Sequence, residues 1–378
     1  MMDSEKLVSY MESHLDEMIR LLQACVDLES PSHENKAASD NCGEFFRELF
    51  ANAGFQTESI PQAENGDHIV ARMGTGVRGT LCVGHYDTVF PIGFLSRNPF
   101  RVEGTKAYGP GLLDMKGGII MGYMAVKALR DLGLLPNKRI TFFLNSDEES
   151  GSFHSSELIV AEAKKHDNVI VLEPGYDEIG SVKSGRYGRA TYHIIAHGRS
   201  AHSGTNPEDG INSLEEISHQ LLRVISFNDP ERGVSVAPTC CQGGIPGTCV
   251  VPEIASFSVD VRSKDPEIQQ MIDRKIRALR PVLDGVRLEI QGGIDKPVLP
   301  RYGQLIEMAA GFAKELGITL REDICKGGSD GNFTGGAGIP TIDGMGMSGL
   351  YLHTPNEYIH VDHIAKRTAL VALMLKNM

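Results

Sequence analysis

Three short apolar runs limit what this chain can fold into: residues 79–84 (GTLCVG), 139–145 (RITFFLN) and 168–172 (NVIVL). Each reads as a strand buried on both faces. Residues 116–132 and 155–165, which lie between them, carry apolar side chains at helical spacing. A β-α-β-α-β order predicts the α/β class, with a mainly parallel sheet and helices on both of its faces.

The pattern changes after about residue 187. Residues 189–196 alternate like a half-exposed strand, 212–225 form an amphipathic helix, 255–262 alternate again, 266–279 are helical, and 286–291 read as a strand. This β-α-β-β-α-β-like order predicts an inserted α+β, ferredoxin-like domain over 188–296, with two helices on one sheet face. Residues 1–187 and 297–378 then form the first domain. Two domains also suit a chain of 378 residues, which exceeds what one hydrophobic core usually serves.

Lys plus Arg number 37 and Asp plus Glu 49, a formal charge of −12. So acidic a chain is not expected to bind nucleic acid or an anionic membrane. No run reaches the length and apolarity of a membrane span. Acidic residues interrupt the first 22 positions, which read as one amphipathic helix rather than a signal peptide. The seven cysteines are odd in number and lack CxxC spacing, so unpaired thiols in a reducing compartment are expected, and the location is taken as cytoplasmic.

The chemically unusual residues follow the predicted strands, where open α/β sheets hold their ligands. His85 and Asp87 stand just after the first strand. One ring nitrogen of His85 can bind a metal while Asp87 fixes the other, although a turn with a satisfied histidine has the same spelling. Asp114 lies in a glycine-rich stretch, 109–118, at the start of a helix. Its two oxygens can bridge two cations, or it can be an ordinary cap. Glu148 and Glu149 end the 139–145 strand. Adjacent carboxylates point in different directions, so one can ligate metal while the other serves as a base; a solvated acidic loop is the plain alternative. Glu173 ends the third strand, and His353 and Glu357 lie near the C-terminus. Taken together, these carboxylates and histidines suit two zinc ions sharing one carboxylate.

Several stretches together carry a family resemblance: GHYDTV (84–89), PFRVEGTKAYGPGLLDMKGG (99–118), SDEESGSF (146–153), LEPG (172–175), GRSAHSG (198–204), VDVR (259–262), GGSD (327–330) and the segment around His353. In their order and spacing the chain resembles the M20 metallopeptidase family, and within it the glutamate carboxypeptidases of the carboxypeptidase G type. The resemblance implies a zinc-exopeptidase-like catalytic domain with an inserted lid and dimerisation domain, and two zinc ions per subunit, with cobalt or manganese as alternatives. It implies that Asp114 bridges the two metals, that His85 and Glu173 complete one site, and that Glu149 and His353 complete the other. It implies Glu148 as general base, Asp87 as the support of His85, and a cis peptide after Asp114. It further implies that His202 reaches the active site of a partner subunit in a homodimer built through the 188–296 domain, and that Arg262 and the backbone at Gly328 bind the substrate carboxylate.

The sequence departs from that pattern around the substrate. Cys249 stands where the family usually has an asparagine, which exchanges an amide donor for a weak thiol donor. Lys296 stands where the glutamate carboxypeptidases have an arginine, keeping the charge and losing the fork. Cys325 replaces a threonine, and Arg186 and Tyr187 replace smaller polar residues. The expected substrate is an N-acyl amino acid or short peptide, cleaved at the amide before a C-terminal amino acid such as glutamate. The rival readings are an N-acyl-amino-acid deacylase or dipeptidase on the same fold and, more remotely, a non-catalytic binding protein.

Overall fold

The three apolar runs form adjacent central strands of a six-stranded sheet in the computed structural model, which describes residues 2–378. The strand order is Gln56–Ile60, His68–Met73, Arg139–Asn145, Gly79–His85, Asn168–Val171 and Thr341–Ile342. The last four run parallel, and the first two make an antiparallel pair that joins Arg139–Asn145 in the antiparallel sense. Side chains along these strands alternate between two cores, as the strand period requires. Leu81, Val83, Phe143, Val169 and Val171 pack with Ile159 and Ala163 of the helix Ser156–Ala163. Cys82, Phe142, Leu144 and Ile170 face the other way, towards the helices Gly117–Asp131 and Ile364–Asn377. Helices therefore cover both sheet faces, which is why the strands read as continuous apolar runs.

This sheet belongs to a unit made of Met1–Gly185, Arg301–Cys325 and Ser329–Met378. The single N-terminal helix expected over the first 22 residues is instead two, Asp3–Ser13 and Leu15–Val26, with the turn at His14. Both Ser13 Oγ and His14 Nδ1 lie 2.8 Å from the carbonyl of Tyr10, an alternative to the regular helix pattern just where the axis breaks.

The glycine-rich stretch has a packing reason. A Cβ at Gly118 would lie 2.0 Å from the carbonyl oxygen of Leu172, so only glycine lets the helix Gly117–Asp131 start against that strand end. Gly118→Ala must push the helix away from the residue preceding Glu173. Overpacking of this kind costs about 2 kcal/mol, and thermal unfolding should report a lower melting temperature. A variant as stable as the parent would show that the two elements are not in tight contact.

The second unit consists of Arg186–Pro300 with Lys326–Gly328. Its four-stranded antiparallel sheet has the order Val234–Gly243, Ile254–Ser263, Gly188–His197 and Arg287–Lys296. The helices Ser213–Ile225 and Pro266–Arg277 cover one face and bury Ile217, Val224, Ile268, Ile272 and Ile276 against it. The chain order is β-α-β-β-α-β, that of the ferredoxin-like arrangement. Val234–Gly243 escaped the sequence reading because it is an edge strand, exposed from Ala237 onwards, and shows little apolar alternation. No helix among the described residues is long and apolar enough to cross a membrane.

Candidate metal centre

The parallel register brings the chemistry to one edge of the sheet. Gly84 pairs with Leu144, His85 with Asn145, and Val83 with Val171. The residues that follow, Asp87, Glu148 with Glu149, and Glu173, therefore leave the sheet side by side. Asp114 comes from the kinked turn Leu112–Lys116, and its peptide bond to Met115 is cis. His353 stands in the loop between the short strands Gly349–Leu350 and Tyr358–His360, with a left-handed φ of 60°. That conformation is costly for a non-glycine residue and is typical of side chains held for a task.

Asp114 is at the middle. Its Oδ1 lies 3.2 Å from His85 Nε2 and its Oδ2 lies 3.2 Å from His353 Nε2. Glu173 Oε1 is 3.4 Å from His85 Nε2, and Glu149 Oε1 is 3.1 Å from His353 Nε2. Two triads result, His85–Asp114–Glu173 and Asp114–Glu149–His353, in each of which one atom per residue lies within 4.8 Å of the others. Asp114 is common to both.

This donor set fits a pair of divalent cations. Each Nε2 faces two carboxylate oxygens but can carry only one proton. Glu149 Oε1 is shielded from solvent and makes no hydrogen bond, despite its closeness to His353. A cation with nitrogen and oxygen ligands satisfies all three atoms of a triad at once. The protonation states say the same. Burial opposes a charged His85, yet its contacts with Asp114, Asp87 and Glu173 hold its pKa well above the ordinary imidazole value. Contacts with Asp114 and Glu149 hold His353 up at about 11. Burial pushes Glu149 up to about 7, with the charges of Asp114 and Glu148 adding to it and the His353 contact opposing. Without metal the site gathers protons to offset buried negative charge, which is the place a cation takes.

Asp87 contacts more than His85. It is fully buried, and its Oδ1 lies 3.4 Å from His85 Nδ1. Its two oxygens also accept the backbone N–H groups of Glu148 at 3.3 Å and Glu149 at 3.1 Å, and Oδ2 accepts the Ser32 hydroxyl at 2.8 Å. Its backbone carbonyl lies 3.1 Å from the same His85 Nδ1, so Asp87 meets both the histidine and the turn that carries the adjacent glutamates.

Two further residues were not assigned roles from sequence. Glu357 Oε1 accepts the backbone N–H groups of Leu113 at 2.7 Å and Asp114 at 3.2 Å. Lys183 Nζ lies 3.3 Å from Glu173 Oε2, with both side chains buried. Glu357 could have been suspected from its place four residues after His353. Lys183 sits inside a strand, Val182–Arg186, and has no local signal.

The other expected site residues lie in the second unit. His202 is exposed, and its Nδ1 accepts the backbone N–H groups of Gly204 at 3.1 Å and Thr205 at 3.0 Å. The neutral ring then carries its proton on Nε2. Arg262 directs Nε and Nη2 to Asp260 at 2.8 and 3.1 Å. Lys296 is buried against Gly328, whose carbonyl accepts from Arg186 Nη1 at 2.9 Å. Cys249 is exposed, and its carbonyl accepts the N–H of Ser203 at 2.9 Å.

The fold and the paired triads fit a metal-dependent hydrolase, and comparison with known proteins places the chain among metallopeptidases. Residues 81–377 match the model of peptidase family M20/M25/M40. The chain belongs to this family and is a metallopeptidase. It is 30% identical over 372 residues to carboxypeptidase G2 of Pseudomonas sp. (strain RS-16), covering 96% of this chain and 89% of that one. It is 26% identical over 356 residues to a succinyl-diaminopimelate desuccinylase of Rhodopseudomonas palustris (strain BisA53), covering 87% and 91%. A dinuclear metal binding peptidase of the M20 family from Bacillus subtilis superposes with a TM-score of 0.66 at 15% identity, covering 97% and 98%.

Proposed function

We propose that this chain is a di-zinc hydrolase that cleaves the amide linking a C-terminal amino acid to an acyl or peptidyl group. The observation that carries this reading is the carboxylate of Asp114, with one oxygen on each of two imidazoles and a second carboxylate beside each ring. When bound there, paired divalent cations polarise an amide carbonyl and lower the pKa of a water molecule towards about 7. Glu148 takes the proton of the attacking water and returns it to the leaving nitrogen. Asp87 holds the Glu148–Glu149 turn and the His85 ring at once. In this reading His202, with Nε2–H as its donor, stabilises the developing oxyanion in a partner subunit. The homodimer built through the second unit is part of the same proposal, and the mass of the protein in solution tests it.

Arg262, Lys296, Cys249 and the backbone at Gly328 are proposed to contact the substrate. Lys296, which keeps a positive charge without the fork of an arginine, favours a second reading, in which the released amino acid is not glutamate and the enzyme is an N-acyl-amino-acid deacylase or dipeptidase. The carboxypeptidase and desuccinylase relatives are named for these two kinds of bond. A panel that varies the acyl group and the amino acid separately, with dipeptides alongside, distinguishes them. Zinc-loaded protein is expected to cleave at least one acylated amino acid, and removal of metal by a chelator is expected to abolish turnover until metal is restored. Inactivity of the metal-loaded protein towards every acylated amino acid would overturn both readings.

A further inference from the structure

A second cluster of metal-ligating side chains lies apart from the centre at Asp114. The strand Tyr358–His360 runs into a 3-10 turn, Val361–His363, and then into the last helix, Ile364–Asn377. This turn gathers His360, Asp362 and His363 so that one ligand atom from each lies within 4.8 Å of the others. None of the three belongs to a motif assigned above.

Surrounding hydrogen bonds prepare both rings. His360 Nε2 lies 3.1 Å from Glu178 Oε1, and the same oxygen accepts the hydroxyl of Tyr358 at 2.6 Å. His363 Nδ1 lies 2.9 Å from Ser348 Oγ. Glu178 accepts from His360 Nε2, which leaves a lone pair on Nδ1, and the Ser348 hydroxyl can accept from His363 Nδ1, which frees Nε2 in the same way. Metal-bound histidines are commonly backed in this way by an outer carboxylate, backbone carbonyl or water, the place that Glu178 takes at His360. His360 Nδ1 and Asp362 Oδ1 are 3.9 Å apart, too far for a hydrogen bond. Two ligands with bonds of about 2.1 Å to one cation can span up to about 4.2 Å, so this separation suits a shared ion.

The electrostatics are mixed and close to balanced, since Lys106, paired with His360 across the small sheet, also sets positive charge near Glu178. A helix N-terminus disfavours positive charge, and Arg367 is near. Its guanidinium is taken up by the carbonyls of Gly346, Gly180 and Gly344. Against these stand the carboxylates of Asp362 and Glu178. Two imidazoles with one carboxylate select zinc, nickel or copper over magnesium or calcium.

We propose that His360, Asp362 and His363 form an additional surface site for a divalent transition cation, with Glu178 and Ser348 orienting its imidazoles. An ion there ties the end of the Tyr358–His360 strand to the start of the last helix. The test is equilibrium dialysis of the untagged full chain against Zn²⁺ alone, with metal analysis of the protein. The double variant His360→Ala/His363→Ala is expected to bind one equivalent fewer than the parent chain, whereas His353→Ala is expected to keep that equivalent. His363→Gln is a second, milder variant and should weaken the same equivalent at least tenfold, with circular dichroism checking the fold of each. Equal Zn²⁺ binding by the parent and the folded variants would overturn the proposal. The comparison is a difference of one equivalent, so it holds whatever the number bound at the Asp114 centre.

Discussion

Glu148→Gln is expected to lower kcat about 10³-fold while leaving metal content and fold unchanged, since a positioned general base contributes between about 10² and 10⁴. That loss corresponds to about 4 kcal/mol of barrier. The amide cannot take a proton from water, yet it has nearly the shape of the carboxylate, and the turn keeps its anchor because Asp87 binds the backbone N–H of Glu148 rather than its side chain. The neighbouring residue supplies the control. Glu149 Oε1 is buried beside His353 and Asp114 in one of the two triads. Glu149→Gln is therefore expected to lose a metal equivalent as well as activity. Steady-state kinetics paired with metal analysis separates the two glutamates. If Glu148→Gln turns over normally, or sheds metal in place of Glu149→Gln, the proposed division of labour between them is wrong.

Much of this site is legible in the sequence because of where its residues stand. His85, Glu149 and Glu173 each follow a continuous apolar run that can only be a buried strand, and a parallel register then forces the three strand ends together. Asp114 is marked by glycines, and Gly118 shows why they are there: the carbonyl of Leu172 occupies the space a side chain would need. The rest depends on contacts between distant positions that leave no local pattern. Lys183 meets Glu173 only because Val182–Arg186 turns back beside it. The small sheet of Arg101–Glu103, Lys106–Tyr108, Gly349–Leu350 and Tyr358–His360 has strands of two or three residues, too short for any period to register. That sheet brings the loop with His353 and Glu357 up to Asp114, so the closing step of the site was the least visible part of it. The pairing of Arg262 with Asp260 belongs to the same class: alternate residues on one strand share a face, but which partner an arginine takes is decided in three dimensions.

Glu357→Leu is expected to destabilise the protein by about 3 kcal/mol and to lower its metal content, whereas Glu357→Gln is expected to keep both close to the parent. The carboxyl group is buried, and burial together with the charge of Asp114 pushes its pKa up to about 8, against the pull of its backbone hydrogen bonds. It nonetheless accepts two N–H groups, those of Leu113 and Asp114, through one oxygen. Leucine fills the volume and leaves both donors buried without a partner, at about 1–3 kcal/mol each. Glutamine retains a carbonyl oxygen that can accept the same two bonds. Because Glu357 and His353 share one loop, the residue fixes the backbone of Asp114, the carboxylate common to both triads, relative to a histidine 239 positions away in sequence. A purely structural role would lower the melting temperature without changing metal affinity in the folded protein. The positioning role argued from the geometry requires both to fall in Glu357→Leu and both to recover in Glu357→Gln. Thermal unfolding with and without added zinc, alongside metal titration below the melting range, distinguishes the two cases; a leucine variant that binds metal as tightly as the parent would show that Asp114 is held in place by other contacts.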